Sequence, residues 1–417
     1  MKKTFFFENI NILLGPKSEV IKDSILIVDG TIQAFGKAAK EEAINKNIKK
    51  SEAGSKLIAP LLVDIHSTLK EPLTGHDDNL EKLKYRAKQS GFGSVALLPN
   101  SSFWRDRPEK IPFQENNDFD INIFFWGSFS LENKGLNLSP HKELLDSGAI
   151  GIASSNFFDS SIIFKGLTLN AIKSFPILFS TTNKNSSRKG IVKKDLRSIQ
   201  SGFYVIEDDN ELSHVRNILG IKNLFPDKKI IIKNISESDS LKEIKNTNIS
   251  LSTTISWWSL IADTNNLKLD DIGWKANPPL GSAENRENLI KGLENDLIQA
   301  IAVNSYPLND ENTFIPINER SKGISSYELV LPLLWEELIK KRKWSITKLW
   351  QYLSFKPSTL LGINKERLSL GSKRWLIFDP DTKWLNNQIN LGYDSPSNFP
   401  KKNELIKGKV LAVGLDS

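Results

Sequence analysis

The chain has 417 residues, a formal charge of +7, 39% hydrophobic and 25% charged residues, four histidines and no cysteine. That length allows one large domain with an appendage, or two or three domains, and the composition is that of a globular protein. No stretch reaches the roughly 18–20 apolar residues of a membrane span, and without cysteine there is neither a disulfide framework nor a thiolate metal site.

The opening MKKTFFFENINILLG is interrupted by Glu8 and Asn9 too early for a secretory leader and reads as a strand. The expectation is a cytoplasmic protein without membrane contact. The lysines are spread rather than gathered into a stripe with stacking aromatics, so nucleic acid is not an expected partner.

Strand-like runs follow at Lys3–Phe7, Ile25–Val28 and Thr31–Phe35, with the Asp29-Gly30 turn between the last two. The other end of the chain has the same character: Arg374–Asp379 and Gly408–Gly414 read as strands. Residues 1–57 and 365–417 are therefore expected to form one small β-domain flanking residues 58–364. In that central region strand and helix patterns alternate. The strands are Leu61–His66, Ser94–Leu98, Ile121–Trp126, Ala149–Ala153, Ile177–Phe179, Lys229–Ile232, Ile249–Thr253 and Gln299–Val303. Helical patterns include Leu80–Gln89, Glu211–Leu219, Ala283–Leu293 and Tyr327–Lys340, while His141 follows Pro140 in a loop. Eight such alternations predict a (β/α)8 TIM barrel, α/β in class, whose chemistry would sit at the carboxyl ends of the strands.

Several long segments, in order, resemble the dihydroorotases among the cyclic amidohydrolases. They are Val63-Asp64-Ile65-His66-Ser67-Thr68-Leu69-Lys70-Glu71-Pro72 with Gly75-His76 after it, Gly91–Asn100, Asn277-Pro278-Pro279-Leu280-Gly281, and Gly323–Leu334. The resemblance implies an amidohydrolase-type barrel and the reversible closure of N-carbamoyl-aspartate to dihydroorotate in pyrimidine synthesis. It also implies one or two zinc ions that lower the pKa of a bound water to about 7, held by histidines, an aspartate and a carbamylated lysine or second carboxylate.

Set against that pattern, the ligand positions are depleted. His66 stands at the first, but the second first-strand histidine is Thr68. The fourth-strand segment Gly148–Ser155 has no aspartate or lysine. The fifth ends Ser180-Thr181-Thr182, Asn234 replaces the histidine of a His-Val-Ser pattern, and Ser256-Trp257-Trp258 stands in place of Pro-His-His. Asn304 replaces the aspartate that accepts a proton from the metal-bound water, and an amide cannot act as that base. His76, His141 and His214 are too few and too scattered to rebuild a metal cage.

The expectation is therefore a dihydroorotase-like pseudoenzyme with no catalytic residues, no metal site and no cofactor, whose closest-fitting partner by resemblance is aspartate transcarbamoylase; a homo-oligomer is an alternative assembly. Vestigial substrate contacts are expected at Lys70, which keeps the charge of an arginine without its bidentate fork, and at Asn100 and Asn277. Gly281 removes a further arginine. Trp257 and Trp258 are expected to fill space vacated by histidines and metal. An active cyclic amidohydrolase and a non-catalytic ligand sensor are the competing readings.

Overall fold

The computed structural model describes residues 3–69, 79–99, 104–112, 119–169, 174–182, 190–206, 210–392 and 395–415. Among these, eight parallel strands stand side by side in sequence order: Leu62–Ser67, Phe92–Leu97, Asn122–Ser128, Gly151–Ala153, Pro176–Ser180, Lys229–Lys233, Ser252–Ser256 and Ala300–Ala302. They are called the first to eighth barrel strands below. The sheet closes where the first strand meets the residues just after the eighth. Asn304 N–H donates to the His66 carbonyl at 3.1 Å, and Thr68 N–H donates to the Ser305 carbonyl at 2.7 Å.

Side chains alternate between two apolar layers, as a strand's two-residue period requires. Val63, Ile65, Ala96, Trp126, Leu178 and Ile231 point into the lumen. The opposite faces, with Leu62, Val95, Phe125, Ile177, Ile230 and Ile232, join the core beneath the surrounding helices. Two of those helices start at a side-chain cap: Asn79 accepts from Lys82 N–H before Leu80–Gln89, and Ser282 accepts from Asn285 N–H before Ala283–Glu294.

The two chain ends share a second sheet, in the order Leu405–Val413, Trp375–Leu385, Leu57–Pro60, Phe5–Ile12, Ile21–Val28, Thr31–Phe35, with Lys50–Ser51 pairing on Phe5–Ile12. Trp375 Nε1 donates to the Gly30 carbonyl at 2.8 Å, tying the last third of the chain to the first hairpin. Arg374 fastens this sheet to the barrel. Its guanidinium donates to the Gly93 carbonyl at 2.7 Å and the Asp120 carbonyl at 3.0 Å, and pairs with Glu366.

Two elements differ from the sequence expectation. The helix expected over Tyr327–Lys340 is an α-helix only over Val330–Leu334 and continues as a π-helix over Trp335–Lys341. Pro332 has no N–H and fits only a helix's first turn, so the helix cannot start much earlier. His141, expected in a loop, is the first residue of a helix over His141–Asp146 that begins directly after Pro140. No helix among the described residues is long and apolar enough to cross a membrane.

Candidate functional site

His66 is fully buried at the end of the first strand. Its Nε2 lies 2.9 Å from Thr254 Oγ1, on the seventh strand. That hydroxyl oxygen already accepts the Asn234 N–H at 2.9 Å. With one proton and a second lone pair left, this hydroxyl can give a proton to His66 Nε2 or take one from it. A ring that accepts at Nε2 carries its proton at Nδ1. His66 Nδ1 is buried and has no hydrogen-bond partner.

Lys233 ends the sixth strand, two residues after Ile231, which faces the lumen. The period of the strand turns Lys233 the same way. It is 8% exposed, and among the described residues its ammonium has neither a hydrogen bond nor an ion pair. Burial alone pulls it down to about 8. His66 is held well below the usual imidazole range, first by its own burial and then by the nearby Lys233 charge. The imidazole is neutral at pH 7 and shares its surroundings with a cation.

The other strand ends carry hydroxyls and amides. Ser154 Oγ accepts from Ser180 N–H at 3.1 Å, and Ser180 Oγ and Thr182 Oγ1 lie 2.8 Å apart. Asn304 has a left-handed backbone with φ of 51°, and its side-chain Nδ2 donates to the Asn277 carbonyl at 2.6 Å. Asp64, two residues before His66 in the first strand, is committed elsewhere: it accepts Val303 N–H at 2.9 Å, Ser67 Oγ at 2.5 Å and Tyr327 hydroxyl at 2.9 Å.

His214 contacts the Thr181 carbonyl through Nδ1 and stacks on Phe157 with ring centroids 3.7 Å apart. His141 Nε2 donates to the Phe129 carbonyl at 2.8 Å. Both imidazoles are engaged in packing. Trp257 and Trp258 are fully buried edge to face, 5.2 Å between centroids.

Of the contacts expected from the sequence, Lys70 and Asn100 lie outside the described residues, as does His76. Asn277 is engaged through its carbonyl by Asn304. The zinc that the resemblance implies does not match the donors at the strand ends. Among the described residues no three His, Cys, Asp or Glu side chains converge. Beside His66 stand a threonine hydroxyl and an ammonium, and the Asp64 carboxylate is consumed by three hydrogen bonds. A dication needs anionic or neutral lone pairs around it, and Lys233 brings positive charge instead. Sequence reasoning read the strand as far as Ile232 and missed Lys233. The available signal was a lysine two residues after an inward isoleucine, at the end of an otherwise apolar run.

The architecture is thus a closed parallel (β/α)8 barrel with a β-sheet built from both chain ends. It matches solved structures of L-hydantoinase (dihydropyrimidinase) from Arthrobacter aurescens, with a TM-score of 0.76 and 18% identity over 98% of this chain and 94% of that one. A second match is dihydropyrimidinase from Brevibacillus agri, with a TM-score of 0.73 and 18% identity over 98% and 93%. In sequence the chain is 27% identical to a probable dihydroorotase-like protein of Synechocystis sp. over 394 residues, 85% of this chain and 87% of that one. It is 25% identical to a dihydroorotase of Staphylococcus epidermidis over 360 residues, 84% of each. No family model matches. In sequence the chain is thus similar to dihydroorotases and a dihydroorotase-like protein, its fold is that of the solved hydantoinases, and among the described residues no group of metal-ligating side chains converges.

Proposed function

We propose that this chain keeps the cyclic amidohydrolase barrel without its hydrolytic chemistry and serves pyrimidine synthesis as a structural component, with aspartate transcarbamoylase as the leading partner. The observation that carries the non-catalytic reading is the side-chain set at the strand ends: among the described residues no three His, Cys, Asp or Glu converge, and Lys233 is buried at the end of the sixth strand. Hydrolysis of a cyclic amide needs an activated water and a group to take its proton. The Asn304 amide accepts no proton, and Asp64 is enclosed by Val303, Ser67 and Tyr327. The partnership rests on the resemblance to dihydroorotases.

The test has two parts. Purified protein supplied with zinc is assayed for dihydroorotate opening and N-carbamoyl-aspartate closure; the expected result is no turnover above buffer. Turnover lost in His66→Ala would replace this reading with that of a working cyclic amidohydrolase. Tagged protein isolated from its native cells is expected to bring aspartate transcarbamoylase with it in stoichiometric amount. Isolation without any enzyme of pyrimidine synthesis would remove the partnership.

A further inference from the structure

We propose that a basic cleft at the amino ends of the barrel strands, the end opposite His66, binds a nucleoside polyphosphate. The site is independent of whatever the carboxyl ends of the strands bind or catalyse.

The cleft lies in the seam between the barrel and the chain-end sheet and has a volume of about 1000 Å³, room for a ligand far larger than a simple ion. Ser94 of the second strand, Asn122 and Phe124 of the third, and Pro16 from the turn after Phe5–Ile12 form one side. The other side is the loop of residues 362–374, which joins the helix Lys356–Leu361 to the strand Trp375–Leu385. This loop is fixed along its length. Ile363 N–H donates to the Ser358 carbonyl at 3.0 Å, Leu368 N–H to the Leu14 carbonyl at 2.8 Å, and Gly371 N–H to the Ile32 carbonyl at 2.8 Å. Leu368 is buried in the chain-end sheet and Ile363 packs against the lumen core. The apolar residues anchor the loop, and Asn364, Lys365, Arg367 and Ser369 stay exposed along the cleft. A site built on a fixed loop loses little freedom when it binds.

The side chains select the ligand. Lys365, Arg367, Lys373 and Arg374 line the cleft, and Glu366 is the one carboxylate among its described lining residues. Glu366 is spent on Arg374: it is 7% exposed and accepts from the guanidinium Nε at 3.0 Å and from a terminal nitrogen at 2.5 Å. The charges of Lys365 and Arg367 are therefore balanced by no carboxylate of the lining. An arginine takes two phosphate oxygens at once and a lysine serves as a point charge beside it, so the pair suits a polyphosphate better than a single carboxylate. Two aromatic rings share the cleft, Phe119, 55% exposed, and the half-buried Phe124. The Lys373 ammonium lies 5.1 Å from the Phe119 ring centre. An exposed aromatic face beside cations gives a base a surface to stack on. Phosphates joined to a planar ring are the chemistry of a nucleotide.

The experiment is titration calorimetry of the full chain with ATP, with inorganic tripolyphosphate as the charge without the ring, and with adenosine as the ring without the charge. Expected is saturable binding of ATP, about fivefold or more tighter than tripolyphosphate, the size of one stacked base, and no saturable heat from adenosine. Lys365→Ala combined with Arg367→Ala should weaken ATP at least about tenfold and leave the melting temperature at the parent's, since both side chains are exposed. Lys37→Ala combined with Lys242→Ala removes as much charge from exposed positions, 90% and 67% by side chain, and should leave ATP affinity unchanged. Added potassium chloride should weaken ATP in the unmodified protein, which keeps the test available if a variant does not fold. No saturable ATP heat up to about 10 mM, equal affinity for ATP and tripolyphosphate, or equal losses in the two double variants would overturn the site.

Discussion

The Tyr327 hydroxyl donates to Asp64 Oδ2 at 2.9 Å, joining residues 263 positions apart. Asp64 also accepts the Val303 N–H just past the eighth strand. One buried carboxylate thereby gathers the first strand, the eighth, and the segment entering the following helix. This aspartate belongs to the segment that resembles the dihydroorotases, and its role in this chain is to close the barrel.

Tyr327→Phe removes one hydrogen bond from a buried carboxylate and keeps the ring's edge-to-face contact with Phe92 at 5.1 Å. A loss of about 1–3 kcal/mol is expected, read as a lowered midpoint in urea with an unchanged slope. An unshifted midpoint would mean that the latch carries no stability.

Burial raises the Asp64 carboxyl to about 6, against the pull of its hydrogen bonds to Ser67, Val303 and Tyr327. The folded state then holds this proton more tightly than the unfolded chain, whose ordinary value is 3.8. Its contribution to stability is present at low pH and declines as pH rises from about 4 to about 6. Across that window the stability of the parent relative to Asp64→Asn should fall by up to about 3 kcal/mol. A flat difference between the two proteins would contradict the burial argument.

Lys233 gives a second pH dependence at the alkaline end. Its folded value near 8 lies below the ordinary 10.5, so below pH 8 the fold carries an unfavourable buried charge. The parent should gain stability as pH rises from about 8 to about 10.5, because the folded chain loses the proton first. Lys233→Met should be more stable than the parent at pH 7, with the advantage shrinking by about 3 kcal/mol by pH 10.5. A variant that is less stable at pH 7 would show that the ammonium is compensated.

Arg374→Ala is expected to be the most damaging of these substitutions. It strands Glu366, whose side chain is 8% exposed, and removes donors to the Gly93 and Asp120 carbonyls. Breaking a buried pair from one side costs about 3–5 kcal/mol. For a chain of this length the thermal midpoint should fall by about 3–6 °C; an unshifted midpoint would refute the joint between sheet and barrel.

The eight barrel strands were legible because each is a short run of β-branched or aromatic residues between helical patterns, and Thr31–Phe35 and Leu80–Gln89 agree to the residue. Ends were less legible. The seventh strand, expected over Ile249–Thr253, lies at Ser252–Ser256, because pairing with Ala300–Ala302, not local propensity, sets where it lies. At the site, the sequence exposed the missing ligands residue by residue. It did not reveal which side chains would meet, because His66 and Thr254 come from the first and seventh strands and are joined only when the barrel closes. Trp257 and Trp258, expected to fill space vacated by histidines and metal, are fully buried in the core beneath the helices; Trp258 Nε1 finds the Gly273 carbonyl at 2.9 Å, while Trp257 Nε1 has no partner among the described residues.

The central claim is that these strand ends no longer hold a hydrolytic metal, and zinc content tests it most directly. Protein produced in zinc-supplemented medium, desalted, and measured by elemental analysis should contain less than about a tenth of an equivalent per chain. One or more equivalents, retained through desalting and released by His66→Ala, would show that a metal site assembles around His66 despite Lys233 and would return the chain to the working amidohydrolases.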